Sequence, residues 1–135
     1  MELLDTTFLI DFVRGREESR DMIMELENKG EVITIAVPSI VELFKGIYLK
    51  DNIKNIKSDE VEKIKNAISS YENYNLDKDG AILAGEIEAD LLNRGERIDI
   101  EDILIGAIAK QNGEKLITRN IKHFDRIKGL EVEGY

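Results

Sequence analysis

Short apolar runs alternate with amphipathic segments along this chain. The first run, Glu2–Leu4, and a β-branched run at residues 32–37 have the character of strands that are buried on both faces of a sheet. We predict further strands at residues 115–118 and 130–132, and a short strand or extended turn at residues 74–76. The pattern therefore predicts a sheet of four to five strands.

Between these runs, apolar residues recur every three or four positions, which is the spacing of amphipathic helices. Most of the predicted helices begin at a capping residue or end at a glycine. We expect caps at Thr6 or Thr7, at Ser39, at Asp77 and at Asp99. The six predicted helices span residues 6–15, 17–28, 39–47, 61–71, 77–95 and 99–113.

Strands that alternate with helices favour a parallel sheet with right-handed crossovers and helices on both faces. Residues 51–58 are polar and aperiodic, which predicts a connection. The helices at residues 61–71 and 77–95 that follow it form either a hairpin or a crossover layer. We therefore expect one α/β domain over residues 1–135, with three α/β/α layers and a central parallel sheet, at a length that can bury a core without disulfides.

One predicted helix is apolar nearly all round, at residues 103–109. Such a helix must be buried, because a surface helix carries a polar face. Gly106 and Ala107 would let it approach the sheet closely.

Composition narrows the class of protein. The chain has no cysteine, which excludes disulfide frameworks, thiol catalysis and cysteine-ligated zinc. Its longest apolar runs are far shorter than a membrane span, and the acidic residues Glu2 and Asp5 do not fit a signal peptide. We therefore expect a cytoplasmic protein with no membrane partner.

The formal net charge of -9 argues against a protein that holds nucleic acid by bulk electrostatics. An acidic site can still meet a phosphodiester when a divalent cation lies between the carboxylates and the phosphate. Most basic side chains are scattered and are expected to be solvated, although a few at the rim of such a site could position a phosphate backbone. The negative charge also favours basic protein partners.

Polar residues stand where the predicted strands end. Asp5 follows the first strand, Glu42 lies just past the second, and Asn120 lies just past the strand at residues 115–118. Asp102 falls in the first turn of the buried helix that leads to that strand. Because the carboxyl ends of parallel strands meet at one edge, we expect these side chains to lie together. Three carboxylates and a carboxamide suit Mg²⁺ or Mn²⁺.

Helix capping is a simpler explanation for two of these acids. Ser39-x-x-Glu42 has the sequence of a capping box, and Asp102 stands three residues after the potential cap Asp99. Taken singly, each acid is about twice as readily explained by capping as by metal binding, because short motifs often match by chance.

Local structure leaves the charge of Asp5 unexplained, because Thr6 or Thr7 could cap the first helix. Asn120 fits a turn residue as well as it fits a ligand. His123, the only histidine, is more typical of a packed or surface residue than of a catalytic one. The four residues together therefore indicate a metal site more strongly than any one of them does alone.

Three segments of the chain carry a family resemblance: LLDTTFLIDF at the start, SIVELFKG in the middle and IEDILIGAIAKQNGEKLITRNIKHFDRI near the end. Together they resemble the PIN-domain family, and specifically its VapC-like ribonuclease toxins, over essentially the whole chain. The resemblance implies a PIN-like fold and a metal site formed by Asp5, Glu42 and Asp102. It also implies that the hydroxyls of Thr6 and Thr118 lie beside that site.

The fourth position of the family site, often aspartate, falls on Asn120, within a TRN-x-x-HF variant that family members also show. This difference removes one negative charge. It implies one well-held ion, weak or no binding of a second, and a neutral group that orients water.

The resemblance further implies hydrolysis of RNA phosphodiesters with Mg²⁺, for which Mn²⁺ can substitute. The metal would lower the pKa of a bound water, and in-line attack would leave a 5′-phosphate and a 3′-hydroxyl. A cognate antitoxin would lay a helix and an extended tail along the apolar groove of the early helices, with a basic residue reaching the acids. A homodimer is expected on the same ground.

Other classes of protein with an acidic sheet edge fit less well. Phosphatases of the aspartyl-phosphate type need a second aspartate where this chain has Thr7. Receiver domains need further acids beside the first strand and a late lysine after a strand, which this sequence lacks. The alternative is a PIN-like module that binds protein or RNA without cutting. Asn120 favours it, whereas Asp5, Glu42 and Asp102 oppose it.

Overall fold

The computed structural model describes residues 1–49 and 58–135. The connection predicted at residues 51–58 lies outside the described residues, except for Ser58, at which a helix begins. The strands are β1 (Glu2–Leu4), β2 (Ile33–Ala36), β3 (Glu72–Tyr74), β4 (Lys115–Ile117) and β5 (Val132–Glu133). The helices are α1 (Thr6–Val13), α2 (Glu17–Asn28), α3 (Val37–Tyr48), α4 (Ser58–Ser70), α5 (Lys78–Asn93), α6 (Ile100–Gln111) and α7 (Ile121–Phe124).

The five strands form one parallel sheet in the order β3-β2-β1-β4-β5. β1 lies at its centre, where Leu4 pairs in register with Ile35 of β2 and with Ile117 of β4. The carboxyl ends of these three strands therefore meet at one edge of the sheet. The predicted α/β class with a parallel sheet is confirmed.

Neighbouring residues of β1 contribute to opposite core layers. Leu3 packs in a cluster with α5 and α6, whereas Leu4 packs in a cluster with α1, α2, α3 and α4. Both leucines are almost fully buried, and burial of each side chain contributes about 2 kcal/mol. Helices on both faces of the sheet give the predicted three layers.

The buried helix is α6, where Ile105, Ala107 and Ile108 are inaccessible to solvent. Gly106, however, does not face the sheet. A Cβ at this position would lie 2.6 Å from Cδ1 of Ile127, so the missing side chain makes room for the segment that follows α7. The prediction that Gly106 lets α6 approach the sheet closely is therefore wrong.

The start of α3 also differs from the prediction. The helix begins at Val37, with Ala36 at the capping position, so Ser39 lies inside the first turn rather than before it. Pro38 is accommodated there because the first N–H groups of a helix have no helical partner.

Two strands are displaced from their predicted positions. β3 lies at Glu72–Tyr74 rather than at residues 74–76, and β5 lies at Val132–Glu133 rather than at residues 130–132. Because β3 separates α4 from α5, these helices do not form a hairpin. Instead, α4 lies in the connection from β2 to β3, and α5 lies in the connection from β3 to β4. Of the helices in the described part of the chain, none is long and apolar enough to cross a bilayer.

Candidate functional site

Asp5 lies where β1 ends, and its side chain caps α1. Its backbone is extended (φ -83°, ψ 176°), and Oδ1 accepts a hydrogen bond from the Phe8 N–H at 2.9 Å. The cap is therefore Asp5 itself, and the expectation that Thr6 or Thr7 caps this helix is wrong. The residue is only 2% exposed.

Two threonine hydroxyls also bind the Asp5 carboxylate. Thr7 Oγ1 donates to its two oxygens at 2.8 and 2.9 Å, and Thr118 Oγ1 donates to Oδ2 at 2.5 Å. Thr118 Oγ1 accepts in turn from the backbone N–H of Asn120 at 2.9 Å. These bonds connect the segment after β4 to the acid that follows β1.

Burial raises the pKa of Asp5 from its ordinary value of 3.8 to about 6. Hydrogen bonds from Thr118, Phe8 and Thr7 oppose this rise in pKa, and the negative charge of Asp102 adds to it. Ionisation of Asp5 therefore costs free energy in the metal-free protein, and a bound cation would offset that cost.

Glu42 lies in α3, one turn beyond any capping position. Since the helix begins at Val37, the Ser39-x-x-Glu42 capping box predicted as an alternative is not formed. Burial raises the pKa of Glu42, the nearby Thr6 hydroxyl opposes the rise, and the negative charge of Asp102 adds to it. Capping therefore does not explain this acid.

Asp102 lies in the first turn of α6, and its Oδ2 is 3.3 Å from Nδ1 of His123 on α7. Burial raises the pKa of Asp102, and His123 opposes that rise. Asp99 occupies the capping position of α6 but makes no side-chain capping bond. His123 is thus a neighbour of the acids, and its position three residues after Asn120 is the signal that could have indicated this.

The three acids share one electrostatic region, since Asp102 raises the pKa of both Asp5 and Glu42. Within residues 1–49 and 58–135, no three His, Asp or Glu side chains form a group that could hold a metal ion as they stand. The donors nevertheless suit Mg²⁺ or Mn²⁺, because they are all oxygen atoms. In addition, the Thr6 hydroxyl near Glu42 is buried and makes no well-formed hydrogen bond within the described chain.

Asn120 stands at the start of α7, where its side chain makes no capping bond. Its backbone N–H binds Thr118, so its main chain borders the Asp5 carboxylate. The proposed ligand role of its side chain stays a prediction.

A second buried acid lies nearby, and the sequence patterns did not identify it. Asp11 of α1 is 1% exposed. Its Oδ2 is 3.1 Å from Nη1 of Arg119 and accepts a hydrogen bond from the Tyr135 hydroxyl at 2.6 Å. Its Oδ1 is 3.3 Å from Nε of Arg16. We call these four residues the Asp11 cluster. The sequence signal that could have identified Asp11 is its position on the apolar side of α1, one helical turn after Phe8.

An apolar groove of about 570 Å³ lies between α1, α3 and α4. Its lining is mostly apolar, and charged side chains, among them Arg20 and Lys63, stand along it. The main apolar lining residues are Leu9, Phe12, Val13, Leu43, Ile64 and Ile68. None of the three site acids lines this groove.

Comparisons with known proteins identify the family. The PIN domain matches residues 3–130. Ribonuclease VapC1 of Methanocaldococcus jannaschii is 31% identical over 135 residues, which covers 98% of this chain and 85% of the relative. The crystal structure of VapBC2 from Rickettsia felis, bound to a DNA fragment from their promoter, has a TM-score of 0.85 at 24% identity, over 99% of this chain and 98% of that chain. A toxin-antitoxin complex from Klebsiella pneumoniae has a TM-score of 0.73 at 25% identity, over 96% of this chain and 95% of that chain.

The parallel sheet with acids at its carboxyl edge is therefore the fold of a known class. The chain belongs to the PIN-domain family and, within it, to the VapC ribonuclease toxins of toxin-antitoxin systems. The resemblance inferred from the three sequence segments is confirmed.

Proposed function

We propose that this chain, acting as one PIN domain over residues 1–135, hydrolyses RNA phosphodiesters at the acidic edge of its sheet, with Mg²⁺ held by Asp5, Glu42 and Asp102. Mn²⁺ is expected to substitute. The observation that carries this proposal is the Asp5 carboxylate, which three donors orient although burial and, to a smaller extent, the charge of Asp102 oppose its ionisation. Such a costly charge is explained by a cation that it binds.

The bound metal ion would supply a water of lowered pKa and would offset negative charge on the phosphate. The protein's own groups hold the geometry. Phe8 N–H and the hydroxyls of Thr7 and Thr118 restrict the Asp5 carboxylate to one orientation. Thr6 lies near Glu42, and Asn120 would orient water without adding charge. The products would be a 5′-phosphate and a 3′-hydroxyl.

His123 lies beside one of the proposed metal ligands. His123 Nδ1 lies 3.3 Å from Asp102 Oδ2 and its side chain is 46% exposed. Asp102 is less exposed than the imidazole that contacts it, at 16%. The contribution of the imidazole would be to orient the carboxylate that binds the metal, as outer partners of metal ligands do.

We further propose that the apolar groove receives a helix of a cognate antitoxin. The groove is lined largely by apolar side chains from three helices, as a docked amphipathic helix requires. An extended tail with a basic residue would then reach the acids, and the net charge of -9 favours such a partner.

A homodimer and a cytoplasmic location complete the proposal. Val41 and Tyr48 on α3, and Ile82 and Leu92 on α5, are large apolar side chains that are about half exposed or more. Burying such side chains between two copies would remove them from water. The cytoplasmic location is expected because cellular RNA is the proposed substrate.

Mn²⁺ binding, measured by electron paramagnetic resonance, tests the proposed site without knowledge of the RNA target. We expect specific binding by the wild type, loss of it in Asp5→Asn and Asp102→Asn, and wild-type binding in the control Glu25→Gln, an exposed acid on α2. Circular dichroism checks that each variant is folded. If both site variants bind Mn²⁺ like the wild type, the proposed metal site is wrong.

RNA cleavage then separates the enzyme from the non-catalytic alternative, which Asn120 favours. We expect Mg²⁺-dependent cleavage of total cellular RNA that chelation abolishes and that Asp102→Asn slows about a hundredfold or more. A wild type that binds Mn²⁺ and RNA but cuts no RNA would support the binding module instead.

A further inference from the structure

The Asp11 cluster is joined to the acidic site by two routes. Arg119 directly follows Thr118, whose hydroxyl binds Asp5. On the other side, the Tyr135 ring packs edge-on against the Phe8 ring at 4.7 Å, and the Phe8 N–H binds Asp5. The cluster therefore lies at the same edge of the sheet as the proposed metal ligands.

The cluster holds more positive charge than Asp11 needs. One arginine is enough to neutralise a buried carboxylate, yet Arg119 and Arg16 both pair with it. Their side chains are 46% and 50% exposed, so part of each guanidinium group faces solvent. A guanidinium carries five N–H donors, and one nitrogen of each arginine, Nε of Arg16 and Nη1 of Arg119, contacts Asp11 within the described residues. The donors on the solvent-exposed part of each group could bind an anion.

Positive charge at this edge of the sheet would help the protein to bind RNA. RNA carries negative phosphates, and the chain as a whole has a net charge of -9. Next to three acids, a phosphate is bound only if cations lie at the right positions. The Asp11 carboxylate is buried and accepts a hydrogen bond from Tyr135. Because it is fixed in this way, it can restrict the orientations of the two arginine side chains more than contacts with water would.

We propose that Asp11 is a positioning residue that holds Arg119 and Arg16 to bind RNA phosphates beside the acidic site. This inference rests on the proposed ribonuclease function and names the side chains that meet the substrate backbone. Arg119 and Arg16 contact the phosphate, whereas Asp11 acts through them.

Binding of a fluorescein-labelled, random-sequence single-stranded RNA tests the arginines directly. Fluorescence anisotropy is measured over a series of KCl concentrations, with Ca²⁺ in place of Mg²⁺ to limit cleavage. We expect Arg119→Gln and Arg16→Gln each to weaken binding about fivefold and to reduce the slope of log affinity against log salt by about 0.7. The matched control is Lys29→Gln, an ion-paired cation at the opposite edge of the sheet, which should leave both quantities unchanged. If both arginine variants behave like this control, the proposal is overturned.

A double variant separates a phosphate contact from effects of net charge and folding. Asp11→Asn combined with Arg119→Gln leaves the net charge of the protein unchanged and leaves no buried charge unpaired. We expect the double variant to bind RNA as weakly as Arg119→Gln alone, and Arg119→Lys to recover the salt slope but not the full affinity. Recovery of wild-type affinity by the double variant would refute a specific contact.

The single variant Asp11→Asn tests positioning. It keeps both arginines but releases them, so we expect an undiminished salt slope together with single-turnover cleavage slowed about tenfold. Cleavage at the wild-type rate would show that Asp11 does not position them. If the wild type itself cuts no RNA, the proposed function fails, whereas the anisotropy measurements still decide whether the arginines bind phosphate.

Discussion

Thr118 Oγ1 donates a hydrogen bond to Asp5 Oδ2 although the two residues are 113 positions apart in the chain. The hydroxyl accepts from the Asn120 N–H, and this directs its own proton at the carboxylate. Thr118 thereby favours the ionised form of a buried acid, which is the form that binds a metal ion.

Removing this hydroxyl should weaken the site. We expect Thr118→Val to raise the pKa of Asp5 further and, where Asp5 is ionised, to lower the free energy of unfolding by about 1 to 3 kcal/mol. Urea denaturation and Mn²⁺ titration measure the two effects. Thr118→Ser keeps the donor and serves as the matched control, so equal losses in both variants would contradict the assigned role.

The raised pKa of Asp5 predicts how the stability of the metal-free protein depends on pH. The folded state holds the proton up to about pH 6, whereas the unfolded chain releases it near the ordinary value of 3.8. Between these values the folded state binds more protons, so stability falls as pH rises, by up to about 3 kcal/mol, and the loss is complete above the folded pKa.

The variant Asp5→Asn lacks this titration. We therefore expect its unfolding free energy, relative to the wild type in a chelating buffer, to increase as pH rises through this window. Urea unfolding at a series of pH values measures the difference. A difference that stays constant with pH would show that burial does not raise the pKa of Asp5.

Asn120 offers a gain-of-function test. We expect Asn120→Asp to tighten Mn²⁺ binding and to allow a second ion, because it restores the fourth carboxylate. The added charge should also destabilise the metal-free protein through repulsion with the other acids. Calorimetric titration gives the stoichiometry, and Asn28→Asp, at the exposed end of α2, controls for net charge. Unchanged binding would place the Asn120 side chain outside the site.

The packing of α6 gives a prediction independent of metal. A Cβ on Gly106 would lie 2.6 Å from Cδ1 of the buried Ile127. We expect Gly106→Ala to cost about 1 to 3 kcal/mol of stability and Ile127→Val to relieve part of this loss in the double variant. Thermal unfolding tests the coupling, and additive effects of the two substitutions would argue against the contact.

Features that depend on neighbours in sequence were accessible without a structure. Helix α2 occupies Glu17–Asn28, as its apolar spacing predicts, and Asp77 caps α5 through the Gly80 N–H, as expected. Periodicity and caps act within one or two helical turns, so the local pattern contains the necessary information.

The start of α3 shows where local rules conflict. Ser39 and Pro38 both suggested a helix that begins later, but α3 starts at Val37, directly after β2. A proline is compatible with a strand end and with a first helical turn alike, and only the packing of the whole segment selects between them.

By itself, the sequence determined that a parallel sheet has strands ending in Asp5, near Glu42 and near Asn120, and that a buried helix carries Asp102. From these positions it predicted that the acids lie together at one edge of the sheet. Only the tertiary structure decided which groups surround them. The Thr118 bond to Asp5, the contact of His123 with Asp102, and the pairing of Asp11 with Arg119 and Tyr135 join residues that are 21 to 124 positions apart. Strand order and helix packing bring such residues together, and no periodicity within a single element encodes that proximity.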